Sequence, residues 1–146
     1  MATTTSRPAG RTTRRTWHQW ALVATLALVT VNAVYGGIGL MANGMGMPDD
    51  WLERTPFDSW VLPGVALLLT VAVPQAWALV ASWRGGPTAP RVALLVGAAL
   101  VLWIVVQLLV LRRYFFLQPV IAGLGLLEVA LALAWSRHRG GSPDAG

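Results

Sequence analysis

Ser59 to Trp83 reads SWVLPGVALLLTVAVPQAWALVASW, 25 residues without a single ionisable side chain. An α-helix rises about 1.5 Å per residue and a bilayer's hydrocarbon core is about 30 Å thick, so about 20 such residues cross it. Two prolines interrupt the run. Pro63 lies close enough to the start to be tolerated in a first turn. Pro74 lies in the interior, leaves the carbonyl of Thr70 without its usual amide, and predicts a kink. Such a kink either opens a cavity beside Gln75 and Trp77 or is re-satisfied by neighbouring side chains.

The rest of the chain repeats this pattern. Between Arg15 and Asp49 only His18 could carry charge; Val92 to Leu111 is another 20 uncharged residues, and Tyr114 to Ser136 is 23 more, broken only by Glu128. A water-soluble core has no use for four such segments in a chain of 146 residues. The expected fold is all-α: a polytopic membrane protein with four transmembrane helices in an antiparallel bundle. The expected spans are 17–41, 59–83, 91–111 and 118–135, with an outer loop over 42–58. A disordered basic tail over 1–16 precedes them, and a polar tail over 137–146 follows. Asp58 or Ser59 is placed to cap the second helix, and Arg84-Gly85-Gly86-Pro87 to stop it.

Composition agrees. The chain is 55% hydrophobic and 12% charged, with a mean hydropathy of +0.59. Cysteine is absent, which excludes disulfides and thiolate chemistry. All eleven basic side chains are arginine, a bias that suggests a GC-rich bacterial genome. The net charge of +5 does not point to nucleic acid, because the arginines flank apolar spans and form no basic-aromatic face. With both termini cytoplasmic, that side holds Arg7, Arg11, Arg14, Arg15, Arg84, Arg91, Arg137 and Arg139, and the outer side holds Arg54, Arg112 and Arg113. Eight against three favours this orientation in a bacterial plasma (inner) membrane. Trp17, Trp20, Trp60, Trp83 and Trp135 are expected at the interfaces. In a rival reading, Arg14-Arg15 and the small residues around Ala33 make the first segment a cleaved secretory signal, leaving three spans.

Glu128 is the candidate functional group inside the membrane. An ionised carboxyl at that depth costs several kcal/mol, so it is expected to face the bundle interior with a partner. Asn32 lies at a similar depth and is the expected partner. Gln107 is expected to join through a water, and Gln75 to sit nearer the inside. Functionally, Glu128, Asn32 and Gln107 would form a proton or ligand site; structurally, Glu128 would fix helix packing by hydrogen bonding. Gly125 and Ala132, a turn to either side of Glu128, let another helix approach. On the first helix, Asn32, Gly36, Gly39 and Asn43 share a face expected to pack tightly or line a cleft.

The outer loop carries Asp49, Asp50, Glu53 and Asp58 opposite Arg112 and Arg113, an arrangement that would either draw the loop over the mouth as a lid or leave it solvated. Met41, Met45 and Met47 form a run that is either interfacial or a soft-metal site. No metal triad, serine triad, Walker loop or dinucleotide fingerprint appears, and His18 and His138 lie at the membrane edge, so no metal or cofactor is expected.

The run Met47-Pro48-Asp49-Asp50-Trp51-Leu52, then Thr55-Pro56-Phe57-Asp58-Ser59-Trp60 and Pro63-Gly64, resembles a pattern in small four-helix integral membrane proteins of actinobacteria. Gln118-Pro119, a following Gly123 or Gly125, and Glu128 match that family's last span. The resemblance implies the four-span topology and a plasma-membrane home, with no assigned activity and no site. Three functions are therefore carried forward. The first is a non-catalytic accessory or interaction protein, in contact with the lipid bilayer and with a larger membrane protein or further copies of itself. The second is a small-molecule or proton-coupled carrier using Glu128. The third is a lipid-modifying enzyme using the loop carboxylates.

Overall fold

A computed structural model describes residues 16–53, 55–112, 114 and 117–140. Helix α1 covers Trp17–Asn43. The second span is one continuous rod in three parts: α2 (Val61–Leu67), a π-helical turn (Leu68–Ala72) and α3 (Val73–Arg84). Helix α4 covers Ala89–Leu111 and α5 covers Leu117–Gly140. No strand occurs among the described residues. Four helices are long and apolar enough to cross a membrane, the make-up of an integral membrane protein. The expected tail over 1–16 lies outside the described residues except for Thr16. The last helix runs past its expected end at Trp135, because its polar continuation is held by contacts described below.

Helix ends follow local chemistry. Gly44 takes φ 64° and donates its amide to the carbonyls of Gly39 and Leu40, closing α1 with a left-handed residue that only glycine adopts without strain. Gly85 does the same for α3 at φ 71°. Arg112 ends α4 at φ 47°, a conformation that costs a non-glycine residue about 1–2 kcal/mol. Pro90 sits in the first turn of α4, where its missing amide costs nothing.

The Pro74 kink takes a specific form. The backbone amide of Val73 donates to the carbonyl of Leu68, five residues back, so the rod widens into a π turn immediately before the proline. Thr70 turns its hydroxyl to the carbonyl of Ala66 at 2.6 Å. The rod changes course here. Below the turn α3 packs on both α1 and α4; above it α2 packs on α1 and makes at most marginal contact with α4 or α5.

Three apolar clusters stack along the bundle. Leu22, Leu26, Ala78, Ala93, Leu131 and Trp135 fill the end nearest the termini. Val29, Ala33, Val71, Ala72 and Leu100 fill the middle, and Leu40, Leu52 and Trp60 the loop end. Outside them the surface stays apolar. On α4, Leu95, Leu102 and Leu109 are each more than 60% exposed and recur every seven residues, forming one strip along the helix. Such a strip on every span is untenable in water and natural against acyl chains.

Two glycine crossings bring helices together. A Cβ placed on Gly64 would lie 2.7 Å from the carbonyl oxygen of Gly37, so α1 and α2 meet backbone to backbone. Gly37 makes this closest approach, while of the expected Gly36 and Gly39 the first lies against Leu67 and lines a cavity at the loop end, and the second lies against Met45. Trp17, Trp20 and Trp83 are exposed near span ends as expected, but Trp60 and Trp135 are core residues, 7% and 2% exposed.

Candidate functional site: a closed carboxyl–amide pair and an apolar mouth

The second glycine crossing builds the carboxyl site. A Cβ on Gly97 would lie 3.1 Å from the carbonyl oxygen of Gly125 and 3.0 Å from Cβ of Glu128. A Cβ on Gly125 would lie 3.1 Å from the carbonyl oxygen of Gly97. Without side chains at either position, α4 and α5 close to contact, and Glu128, three residues beyond Gly125, is pressed against α4. Its side chain reaches α3. There Gln75 Nε2 donates to Glu128 Oε2 at 2.9 Å, and both residues are completely buried.

Gln75, not Asn32, is therefore the partner of Glu128. Asn32 is exposed on α1 and donates its Nδ2 to the carbonyl of Leu28 in its own helix at 2.8 Å, which satisfies the amide locally. The expected Asn32–Glu128 bond fails because helical phase places Asn32 one residue from Ala33, which carries the packing face. Gln107 does not join the pair either; it lines a cavity at the loop end that neither Glu128 nor Gln75 borders. The remaining oxygens, Glu128 Oε1 and Gln75 Oε1, have no hydrogen-bond partner.

The loop-end cavity encloses about 390 Å3, within the range of about 300–1,000 Å3 typical of small-molecule pockets. It occupies the wedge left where α2 diverges from α4 and α5. The sequence allowed a kink cavity beside Gln75 and Trp77; it opens instead on the loop side of the kink, while Gln75 is buried and Trp77 is 70% exposed on the outside. Trp51, Phe57, Trp60 and Trp103 supply aromatic walls, and Gln107 and Gln118 supply amides.

The loop does cover the mouth, but through apolar side chains. Leu52 is 5% exposed against Leu40 and Trp60, with Met47, Trp51 and Phe57 packed around it. Asp49, Asp50, Glu53 and Asp58 are all exposed, as is Arg112. No ion pair joins these acids to Arg112 among the described residues; Arg113 lies outside them. The methionines are put to separate uses: Met45 and Met47 line the cavity, and Met41 packs over Gly64.

At the other end of the bundle the structure makes contacts that the sequence did not suggest. Arg139 donates to the carbonyls of Gly85 and Gly86 at 2.7 and 2.9 Å, and its guanidinium lies 4.6 Å over the Trp135 ring. It thus serves the Gly85 carbonyl, adds a second donor to the Gly86 carbonyl that already accepts from the Ala89 amide, and ties the α3–α4 turn to α5. Gln19 Nε2 donates to the carbonyl of Ser82 at 2.8 Å, tying α1 to the same turn. His18 and His138 come together with ring centroids 4.8 Å apart. Among the described residues no group of three histidines, cysteines or acids assembles to hold a metal. The available signal was a Gly-Gly pair in reach of a terminal arginine, which is too common in sequences to single out.

No protein-family model matches this chain, and neither does any curated protein or solved structure.

Proposed function

We propose that this chain is a non-catalytic accessory protein of the bacterial plasma membrane, with both termini cytoplasmic, that acts by binding at its loop-side mouth. One observation carries the reading: the intramembrane carboxyl is spent on a closed helix-to-helix bond. Glu128 is sealed from solvent, paired with an amide and pressed against Gly97. A carrier needs its carboxyl accessible from either side in turn, with polar groups along the route. Here Asn32 faces outward and Gln107 lies in a separate cavity, so the three polar groups form no route. The loop carboxylates are all exposed, and among the described residues none is paired with a base, so the enzyme reading has no catalytic pair to support it there.

Gentle extraction of the untagged protein followed by native mass spectrometry tests the binding role. A stoichiometric second protein or a non-lipid ligand is expected. The carrier reading replaces it if Glu128→Gln folds normally and abolishes uptake of a substrate that cells with the wild-type chain accumulate.

A further inference from the structure

We propose that the lipid-facing side of α1 docks a second copy of this chain, the Asn32 side chains of the two copies meeting near the middle of the membrane. This interface is separate from the loop-side mouth and goes beyond the accessory role proposed for it.

Asn32 is a polar group set in an apolar solvent. Helix α1 runs over Trp17–Asn43, so Thr30 is its midpoint and Asn32 lies about 3 Å beyond at 1.5 Å per residue. Of the amide and carboxyl side chains well inside the described spans, Gln75 and Glu128 are buried and Gln107 is half-buried; Asn32 is exposed. Its bond to the Leu28 carbonyl uses one of its two N–H groups and neither lone pair of its oxygen. The helix has no donor to offer that oxygen, because interior amides are already given to carbonyls four residues back. Thr30 and Thr70 differ, since each spends its single hydroxyl donor on a carbonyl of its own helix, at 2.7 and 2.6 Å. Acyl chains supply neither donor nor acceptor, so the open half of the Asn32 carboxamide selects a polar group from another protein surface at the same depth.

Chemistry and depth together choose the partner. A carboxamide carries donor and acceptor in one group, so it pairs with its own kind. Copies of one chain insert the same way round, which puts their Asn32 side chains at one depth without adjustment. An unrelated protein would need a polar group matched to that depth. A two-fold axis along the membrane normal then sets two α1 helices side by side and parallel, with the same residues facing from each. The surface around Asn32 suits that arrangement. Ala24, Leu28, Val31, Tyr35 and Ile38 are all exposed and follow one another at alternating steps of four and three residues, the spacing of a seam between near-parallel helices. Asn32 lies four residues from Leu28, about 40° of helix rotation, and so borders this seam. The strip of Leu95, Leu102 and Leu109 on α4 is equally exposed but wholly apolar, and nothing in it distinguishes a protein from lipid.

The chain has no cysteine, so introduced cysteines report contacts without background. In phosphatidylcholine vesicles, full-length Leu28→Cys and Tyr35→Cys should form disulfide-linked dimers on oxidation with copper phenanthroline, and Leu102→Cys should not. Energy transfer between donor- and acceptor-tagged full-length chains, followed as the vesicles are diluted with lipid, gives the dissociation constant. Asn32→Leu should weaken association about 3- to 30-fold, as loss of one interhelical hydrogen bond in a membrane would give, and Asn32→Gln should keep most of it. Far-ultraviolet circular dichroism of the same samples should show unchanged helix content in Asn32→Leu, because the side chain is exposed. Equal dimer yields from Leu28→Cys and Leu102→Cys overturn the interface, as does an Asn32→Leu chain that associates as tightly as the wild type. A chain that stays monomeric in vesicles while Leu28→Cys links it to a different protein in cells overturns the choice of partner. None of these results touches the mouth, which native mass spectrometry judges separately.

Discussion

Replacing Glu128 with glutamine and with leucine should give opposite results, and the difference measures what the carboxyl does. Gln75 Nε2 donates to Glu128 Oε2 at 2.9 Å, while Gln75 Oε1 has no donor. A glutamine at position 128 keeps an oxygen to accept from Gln75 and adds an NH2 that can serve the unpaired Oε1. Leucine matches the side chain in size but leaves the whole Gln75 amide unpaired in a buried site, at a cost of about 1–3 kcal/mol. Glu128→Gln should therefore lie within about 0.5 kcal/mol of the wild type, a little stabilised if anything, and Glu128→Leu about 1–3 kcal/mol below it. Replacing both Gln75 and Glu128 with leucine should recover most of the loss, because no orphaned polar group remains. With Gln75→Leu completing the cycle, the coupling energy should be no smaller than the loss that the double replacement recovers, about 1–3 kcal/mol. Equilibrium unfolding by SDS in mixed dodecylmaltoside micelles, followed by far-ultraviolet circular dichroism, reads the wild type, both Glu128 variants, Gln75→Leu and the double variant. If Glu128→Gln loses as much as Glu128→Leu, the ionisable group itself is required and the packing role is refuted.

Four further outcomes follow from other contacts. Gly97→Ala should cost about 1–3 kcal/mol in the same unfolding assay, since its Cβ would sit 3.0 Å from Glu128 Cβ and 3.1 Å from a carbonyl, forcing α4 and α5 apart; a neutral result would mean that this crossing is loose. Arg139→Ala should lose about 1 kcal/mol and Arg139→Lys most of the same, because a lysine cannot serve the Gly85 and Gly86 carbonyls together while lying over Trp135; full rescue by lysine would reduce the contact to charge alone. Leu52→Asp should free the loop to limited proteolysis, whereas Asp49→Asn with Asp50→Asn should not, and the reverse would restore the charged lid. Pro74→Ala supplies the amide that Thr70 lacks, so spin labels at positions 62 and 109 should move closer as α2 swings toward α4; an unchanged distance would place the cause of the divergence elsewhere.

The sequence by itself determined the number of spans and their approximate ends. Length and apolarity need no partner to be read: any segment such as Ser59–Trp83 must hide its backbone amides from lipid, and a helix does so alone. Pro74 and Gly85 were equally legible, because a missing amide or a left-handed turn is a local matter. The expectation that Glu128 points inward with a polar partner held for the same reason: the cost of burying it depends on depth alone. Which partner it finds was not local. By linear depth Asn32 was expected level with Glu128 and Gln75 nearer the inside, but a rotation of about 100° per residue decides between the inside and the outside of a bundle, and Gln75 is the one that meets the carboxyl. Helix phase is weakly encoded here, because a lipid-facing side is as apolar as a core-facing one, so only the fit of Gly37 on Gly64 and of Gly97 on Gly125 fixes it. The same fit turned Trp60 and Trp135 from interfacial to buried and left Gln107 in the mouth. The tertiary structure alone decided that the Pro74 kink opens its cavity one helix turn and more toward the loop, because a bend displaces most what lies farthest beyond it.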